Sequence, residues 1–153
     1  MQIRKAQIAD MPAVRELMRE YASSLNFELC FQGFDEELGL LPGVYAEPEG
    51  AILVLEVGAA IEGVVALKPI GDNRCEMKRL FLRESARGKG WGRELVNAII
   101  AEAIARGYSC MCLDTVSTMA AARKVYTGAG FIPTEPYCYN PLPTAEFMEL
   151  QLR

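Results

Sequence analysis

The 153-residue sequence contains no histidine. That gap removes Ser-His-Asp triads, Cys-His nucleophile pairs and nearly every zinc site that relies on imidazole. Any proton moved near neutral pH must pass through a carboxylate, a phenol, a lysine, a thiol or water. Paired cysteine spacings are missing too. Cys30, Cys75, Cys110, Cys112 and Cys138 are odd in number and contain no CxxC, so neither a disulfide framework nor a four-thiolate zinc site is expected, and no metal is assigned. Cys110 and Cys112 share one face of a strand and read as small hydrophobes. No apolar run approaches a membrane span, and none follows Met1-Gln2-Ile3-Arg4-Lys5 as a secretory signal requires. With unpaired thiols, these absences give a cytoplasmic expectation. The net charge of −4 argues against a general nucleic-acid or anionic-membrane binder.

What is present is a glycine-rich turn, Arg87-Gly88-Lys89-Gly90-Trp91-Gly92, between a strand-like run and a helix-like run. Glycines remove the Cβ atoms that would keep a ligand off the backbone. The free N–H groups of a helix's first turn, aided by the macrodipole, then favour an anion. Two familiar cradles do not fit. Counted from Gly88, a dinucleotide fingerprint would need a sixth-position glycine where Arg93 stands, and a P-loop would need Ser or Thr where Gly90 stands. Lys78, Arg79, Arg83, Arg87, Lys89 and Arg93 cluster in sequence around the turn, one basic mouth on an acidic chain.

Hydrophobic residues make up 51% of the chain, enough for one domain spanning 1–153 with a substantial core. Gln2 to Gln7 predicts a strand. A helix follows, with Asp10 as N-cap, Pro12 in the first turn and a stripe of Met11, Val14, Leu17, Met18 and Tyr21. A short helix is expected from Asp35 to Leu41. Ile52–Val57 and Ile61–Lys68 read as a hairpin, and Cys75–Leu82 as an alternating strand. Glu94–Arg106 forms a central helix and Ser109–Asp114 a short strand. A helix capped by Ser117 runs to Tyr126 or Thr127. Phe131-Ile132, a proline-broken loop and a strand through Met148, Leu150 and Leu152 complete a β-α-α-β-β-β-α-β-α-β-β order, an α+β layout.

That order, the Arg87-x-x-Gly90-x-Gly92 segment, and Ala122-Arg123-Lys124-Val125-Tyr126 followed by Gly130-Phe131 together resemble the GCN5-related N-acetyltransferases over nearly the whole chain. The resemblance implies the acyl-CoA N-acyltransferase fold, a mixed sheet of about six to seven strands with helices on both faces. It implies acetyl-CoA as co-substrate, without a metal, and an amine acceptor, either a small molecule or a peptide. It also allows a homodimer. The cofactor would lie between the strands at Cys75–Leu82 and Ser109–Asp114. Backbone groups of Phe81 and Leu82 would pair with its pantetheine, and Arg87, Gly88, Lys89, Gly90, Trp91, Gly92 and Arg93 would hold its pyrophosphate. Tyr126 would protonate or hydrogen-bond the departing thiolate. Glu76, eleven positions before Arg87, stands where family members place a general-base glutamate.

The bland readings are kept alongside: Tyr126 as a core tyrosine, and Glu76 as an exposed carboxylate pairing Lys78 or Arg79. Ordered water is an alternative base, and Asp114 a weaker one. One position departs from the family. Where an asparagine seven residues before the tyrosine often contacts pantetheine, this chain has Met119, with Ser117 or Thr118 as candidate substitutes. Acceptor contacts are assigned to loop residues, Phe31 and Gln32 after the first helix and Tyr139 near the C-terminus, where Tyr137 and Asn140 share the same proline-broken loop. The competing function is an acyl-CoA-binding sensor or regulatory module without catalysis.

Overall fold

The computed structural model describes residues 1–25 and 33–152. In chain order the elements are β1 (Gln2–Lys5), α1 (Met11–Ser24), α2 (Phe34–Leu40), β2 (Ala51–Val57), β3 (Ala60–Gly71), β4 (Arg74–Leu82), α3 (Trp91–Ala105), β5 (Cys110–Val116), α4 (Ala120–Gly128), β6 (Ile132–Pro133) and β7 (Ala145–Gln151). The succession is the expected one. The seven strands form one sheet in the order β1-β2-β3-β4-β5-β7-β6. Among the described residues every pairing is antiparallel except β4 with β5. That one parallel pair follows from chemistry between the strands. β2, β3 and β4 are joined by tight turns, at Gly58 and at Asp72-Asn73, both in the left-handed region that two-residue hairpins demand. β4 and β5 are joined through α3, a crossover that only a parallel pair needs.

Side chains alternate between two cores. On one face Leu53, Val65, Leu67, Cys75 and Met77 pack against Leu95, Val96 and Ile99 of α3, with Tyr126 of α4. On the other, Ile52, Val54, Val64 and Ala66 meet Met11, Val14, Leu17 and Met18 of α1, and Phe34 and Leu38 of α2. The predicted stripe on α1 is therefore its buried face.

Three local expectations change. Asp10 sits before α1 but makes no side-chain cap. Its carboxylate is taken by the Arg4 guanidinium, at 2.8 and 3.1 Å, and by the Gln7 N–H at 2.7 Å. A bidentate ion pair outcompetes a neutral cap. α3 begins at Trp91 rather than Glu94, because the glycine turn feeds directly into it. α4 begins at Ala120 with Met119 at its N-cap, so Ser117 does not cap it. Among the described residues no helix is long and apolar enough to cross a membrane.

The fourth change bears on function. Alternation in β4 does not run through. Cys75 and Met77 face the α3 core, and so do Leu80 and Leu82, a shift from odd to even positions. The register with β3 shows why: Ala66 pairs with Lys78 but Val64 pairs with Phe81, so β4 carries one extra residue. This is a β-bulge, and it switches the face of every residue beyond it.

Glycine placement gives a direct test of packing. A Cβ on Gly50 would lie 2.6–2.7 Å from backbone atoms of Tyr45 and Leu67, whereas one on Gly63 would meet the end of the Leu82 side chain at 2.6 Å. Backbone cannot yield as a side-chain end can. Gly50→Ala is therefore expected to lose about 1–3 kcal/mol, typical of overpacking, and Gly63→Ala less, by chemical denaturation of both.

Candidate active site

β4 and β5 hold together over three pairs only, Arg74↔Cys110, Cys75↔Met111 and Glu76↔Cys112. Past Glu76 they part. The bulge lies just beyond that point, and its residue Arg79 has φ 62°, left-handed for a side chain bearing a Cβ. Such a conformation costs about 1–2 kcal/mol and persists only where the surroundings enforce it. Here the guanidinium makes a bidentate pair with Glu37 of α2, both contacts 2.9 Å, at 2% and 12% side-chain exposure. It also lies over the Phe34 ring, 5.1 Å from its centre.

The opening between the parted strands is a cleft lined by Met77, Leu80, Leu113, Thr115, Met119 and Tyr126, with Tyr21, Lys78, Asp114 and Asn140 toward α1. On its far side β4 remains paired to β3 through Phe81 and Leu82. Among the described residues the end of β4 has no strand partner toward β5, an edge on which an extended ligand can pair. The Leu82 carbonyl on this segment accepts the Arg87 Nε–H at 2.8 Å.

The glycine turn follows β4 in the chain and opens α3. Gly88 and Gly90 have φ 75° and 86°, and a Cβ on either would meet nothing within 4 Å. The space an anion needs is therefore there. Gly90 is the N-cap of α3, and the Glu94 N–H closes the first helical turn onto its carbonyl at 3.2 Å. The N–H groups of Trp91, Gly92 and Arg93 precede that closure and have no helical acceptor. The basic mouth expected here is smaller than its sequence suggests. Lys78 and Arg79 face the opposite side of the sheet, and Arg83 is held by Glu20 at 2.6 Å. Arg87, Lys89 and Arg93 remain exposed at the turn. Arg87 lies over Phe81 at 5.5 Å, and the Lys89 ammonium donates to the Ser85 carbonyl.

On the α1 face, just where the strands part, lies a cluster of charge. Glu76 is 3% exposed rather than an open strand carboxylate. It accepts the Tyr137 hydroxyl at 2.6 Å and lies 3.6 Å from the Lys68 ammonium and 3.8 Å from that of Lys78. Lys78 also approaches Asp114 at 3.8 Å, and Asp114 accepts the Asn140 amide at 3.1 Å. Among the described residues two ammonium groups and two carboxylates balance, and each charge keeps a partner, the condition for burying it. The partner of Arg79 is Glu37 rather than Glu76.

Tyr126 of α4 is 8% exposed and packs edge-on to Phe131 at 6.0 Å. Burial, then the nearby Tyr21 and the Asp114 charge, push its phenol well above the ordinary range, so it stays protonated and a donor throughout the physiological range. The core reading and the cleft reading of Tyr126 are not exclusive, since the ring belongs to the core and the residue lines the cleft. Tyr137 is likewise pushed up, by burial first and then by Glu76 and Asp114. The thiols behave the same way. Cys75 and Cys112 are pushed up to about 12, and Cys138, which lies 3.9 Å from Asp114, to about 11, all chiefly by burial. Cys110, Cys112 and Glu149 have ligating atoms within 4.8 Å of one another, and burial pushes both thiols up.

Phe31 and Gln32, assigned to the acceptor, lie outside the described residues. Tyr139 is 73% exposed, and it is its neighbours Tyr137 and Asn140 that reach the carboxylates. The reason is packing: the Tyr137 ring docks edge-on against Phe147 of β7 at 5.6 Å, which turns the next alternating side chain outward. Thr118 and Ser117 are exposed and do not line the cleft, where Met119 and Thr115 stand instead. Lys68 and Tyr21 carry no assignment to the site from sequence, and Arg79, counted in the basic mouth, pairs instead with Glu37. Lys68 had a readable signal, since a hairpin register places it opposite Glu76.

The model of the acetyltransferase (GNAT) family matches residues 11–131. An uncharacterized N-acetyltransferase of Schizosaccharomyces pombe is 40% identical over 146 residues, covering 94% of this chain and 89% of that protein. One of Dictyostelium discoideum is 28% identical, covering 92% and 94%. Among solved structures, a GNAT-family acetyltransferase of Staphylococcus aureus Mu50 superposes with a TM-score of 0.82 at 15% identity, over 99% of both chains. A Salmonella typhimurium protein solved with its cofactor acetyl-CoA gives 0.76 at 21% identity, over 100% of this chain and 94% of that one. With most of the chain matched by the family model and a relative at this identity over nearly its full length, the chain belongs to the GNAT acetyltransferase family.

Proposed function

We propose that this protein transfers the acetyl group of acetyl-CoA to a primary amine by direct attack of the amine on the thioester. The observation that carries the reading is the parting of β4 from β5, which opens a cleft holding a protonated phenol beside Asp114, with an anion-ready helix start following β4 in the chain. The residues fit the donor. The N–H groups of Trp91, Gly92 and Arg93, with Arg87 and Lys89, suit a pyrophosphate. The free edge of β4 at Phe81 and Leu82 suits the amide groups of a pantetheine arm. The donor assignment also draws on the acetyl-CoA-bound Salmonella structure, and nitrogen as the acceptor atom on the relatives named N-acetyltransferases. The cysteine usage fits a reducing compartment, the cytoplasm.

In this reading the amine attacks the acetyl carbon, the carbon–sulfur bond breaks, and the Tyr126 hydroxyl donates to the sulfur as negative charge develops there. The proton lost by the amine goes to the buried charge cluster, with Glu76 as base. Tyr137, bonded to Glu76, holds its carboxylate toward the parting strands. A covalent acyl-cysteine route is disfavoured, because the Cys138 thiol, 3.9 Å from Asp114, is protonated near neutral pH.

The reading is tested by measuring thiol release from acetyl-CoA over a pooled panel of primary amines. Tight acetyl-CoA binding with no release across the panel would reject transfer and leave a silent acyl-CoA-binding module. Tyr126→Phe is expected to lower kcat by about 10²-fold, within the usual range for a lost general acid, with a much smaller change in the KM for acetyl-CoA. An unchanged kcat rejects the acid role. Glu76→Gln should cost most at low pH. Its deficit should shrink as pH climbs toward the amine's own pKa, near ~10 for a lysine-like acceptor, where the nucleophile deprotonates unaided. A deficit independent of pH points to water as base. Cys138→Ser should retain turnover within about twofold, and loss of activity would reopen the covalent route.

A further inference from the structure

The bulge that parts β4 from β5 is held from outside the sheet, by a helix on the acceptor side. We propose that Arg79 and Glu37 are positioning residues that couple α2 to the donor cleft, so that cleft occupancy and α2 placement stabilise each other. The proposal rests on the acetyl-CoA reading given above. Neither residue need touch the donor.

Three observations converge. Arg79 occupies a left-handed conformation in mid-strand, where a glycine would sit without strain, yet the position holds a long charged side chain. That side chain does not snorkel to solvent. It is buried to 2% exposure and grips Glu37 through two parallel bonds of 2.9 Å, with Phe34 of the same helix against its guanidinium. α2 spans only Phe34–Leu40 and is too short to persist alone, so its position depends on such tertiary contacts. Each partner thus supplies what the other lacks: the bulge gains a reason to stay left-handed, and the helix gains an anchor to the sheet. Movement of α2 must therefore pull on the bulge, and closure of the cleft around a ligand must steady α2. By linkage the coupling runs equally in both directions.

Removing one partner alone leaves a buried charge, so the informative variant is the double Arg79→Gly/Glu37→Gln, which removes both charges and relieves the backbone strain. Hydrogen–deuterium exchange is followed over residues 34–40 and 79–82 with and without acetyl-CoA, and melting temperature is the folding control. In the wild type acetyl-CoA is expected to slow exchange of α2 by about fivefold or more, the lower end of ordinary coupling. In the folded double variant that protection is lost, the bulge segment exchanges faster without ligand, and acetyl-CoA binds at least about tenfold more weakly by calorimetry. Arg79→Lys, which keeps the charge, should recover part of the α2 protection. A double variant with wild-type affinity and wild-type protection of α2 would overturn the coupling, since a side chain that merely fills space does not transmit ligand binding. If the double variant does not fold, Arg79→Lys decides alone, and full wild-type protection with full affinity overturns the proposal. Failure of the wild type to bind acetyl-CoA sinks the donor reading instead. The coupling is then judged by ligand-free exchange, and unchanged rates at 79–82 and 34–40 in the variant overturn it.

Discussion

Everything that distinguishes this site depends on two parallel strands that start paired and then separate. β4 and β5 share three rungs and no more. Had the pairing continued to Leu82 and Val116, the backbone groups now facing the cleft would be spent on each other, and Tyr126 would lie under a closed sheet. An extra residue at Arg79 prevents this by bending β4 and reversing which side chains face which core. The parting also sets where polarity can be buried. Glu76 sits at the last shared rung, one pair before the opening, and that is where the structure concentrates its buried charge.

The glycine turn and the α1 side of the cleft handle charge in opposite ways. At the glycine turn positive groups are exposed and the backbone contributes partial charges that need no desolvation, an arrangement suited to a ligand that brings its own negative charge. On the α1 side each carboxylate is matched by an ammonium and bonded by a phenol or amide, and among the described residues the charges balance. A balanced, fully partnered cluster does not attract or repel acceptors by net charge. In the proposed reaction, selection among amines then falls to shape and to the hydrogen bonds made as Tyr137, Asn140 and Lys78 yield or stay, which fits loop residues better than a fixed charged pocket.

How much of this was legible from residue order depended on whether local chemistry decided the outcome. The glycine turn was, because left-handed positions and an open helix start leave a compositional mark. The α1 stripe was, because burial on one helix face has a period. The bulge left a mark that goes unread if strict alternation is assumed: Cys-Glu-Met-Lys alternates, but Arg79 follows Lys78 as a second consecutive charge before Leu80-Phe81-Leu82. Asp10 looked like a cap because the competing Arg4 lies on a different element. Tyr137 could not be told from Tyr139 in a loop with Pro133, Pro136, Pro141 and Pro143, which has no period at all. Only the docking of its ring on Phe147 in three dimensions turns it inward.

The absence of histidine gains its meaning here. A buried phenol whose acidity is suppressed is a poor proton sink, but it remains a donor at every pH the protein meets. A transfer that expels a thiolate needs such a donor more than it needs a group that titrates near neutrality. Suppressed thiols remove a rival nucleophile from the same neighbourhood. In the proposed reaction, proton uptake is thereby confined to the carboxylates and water, and proton release to Tyr126. This separation of roles comes chiefly from burial, with neighbouring carboxylates adding to it, and needs no imidazole.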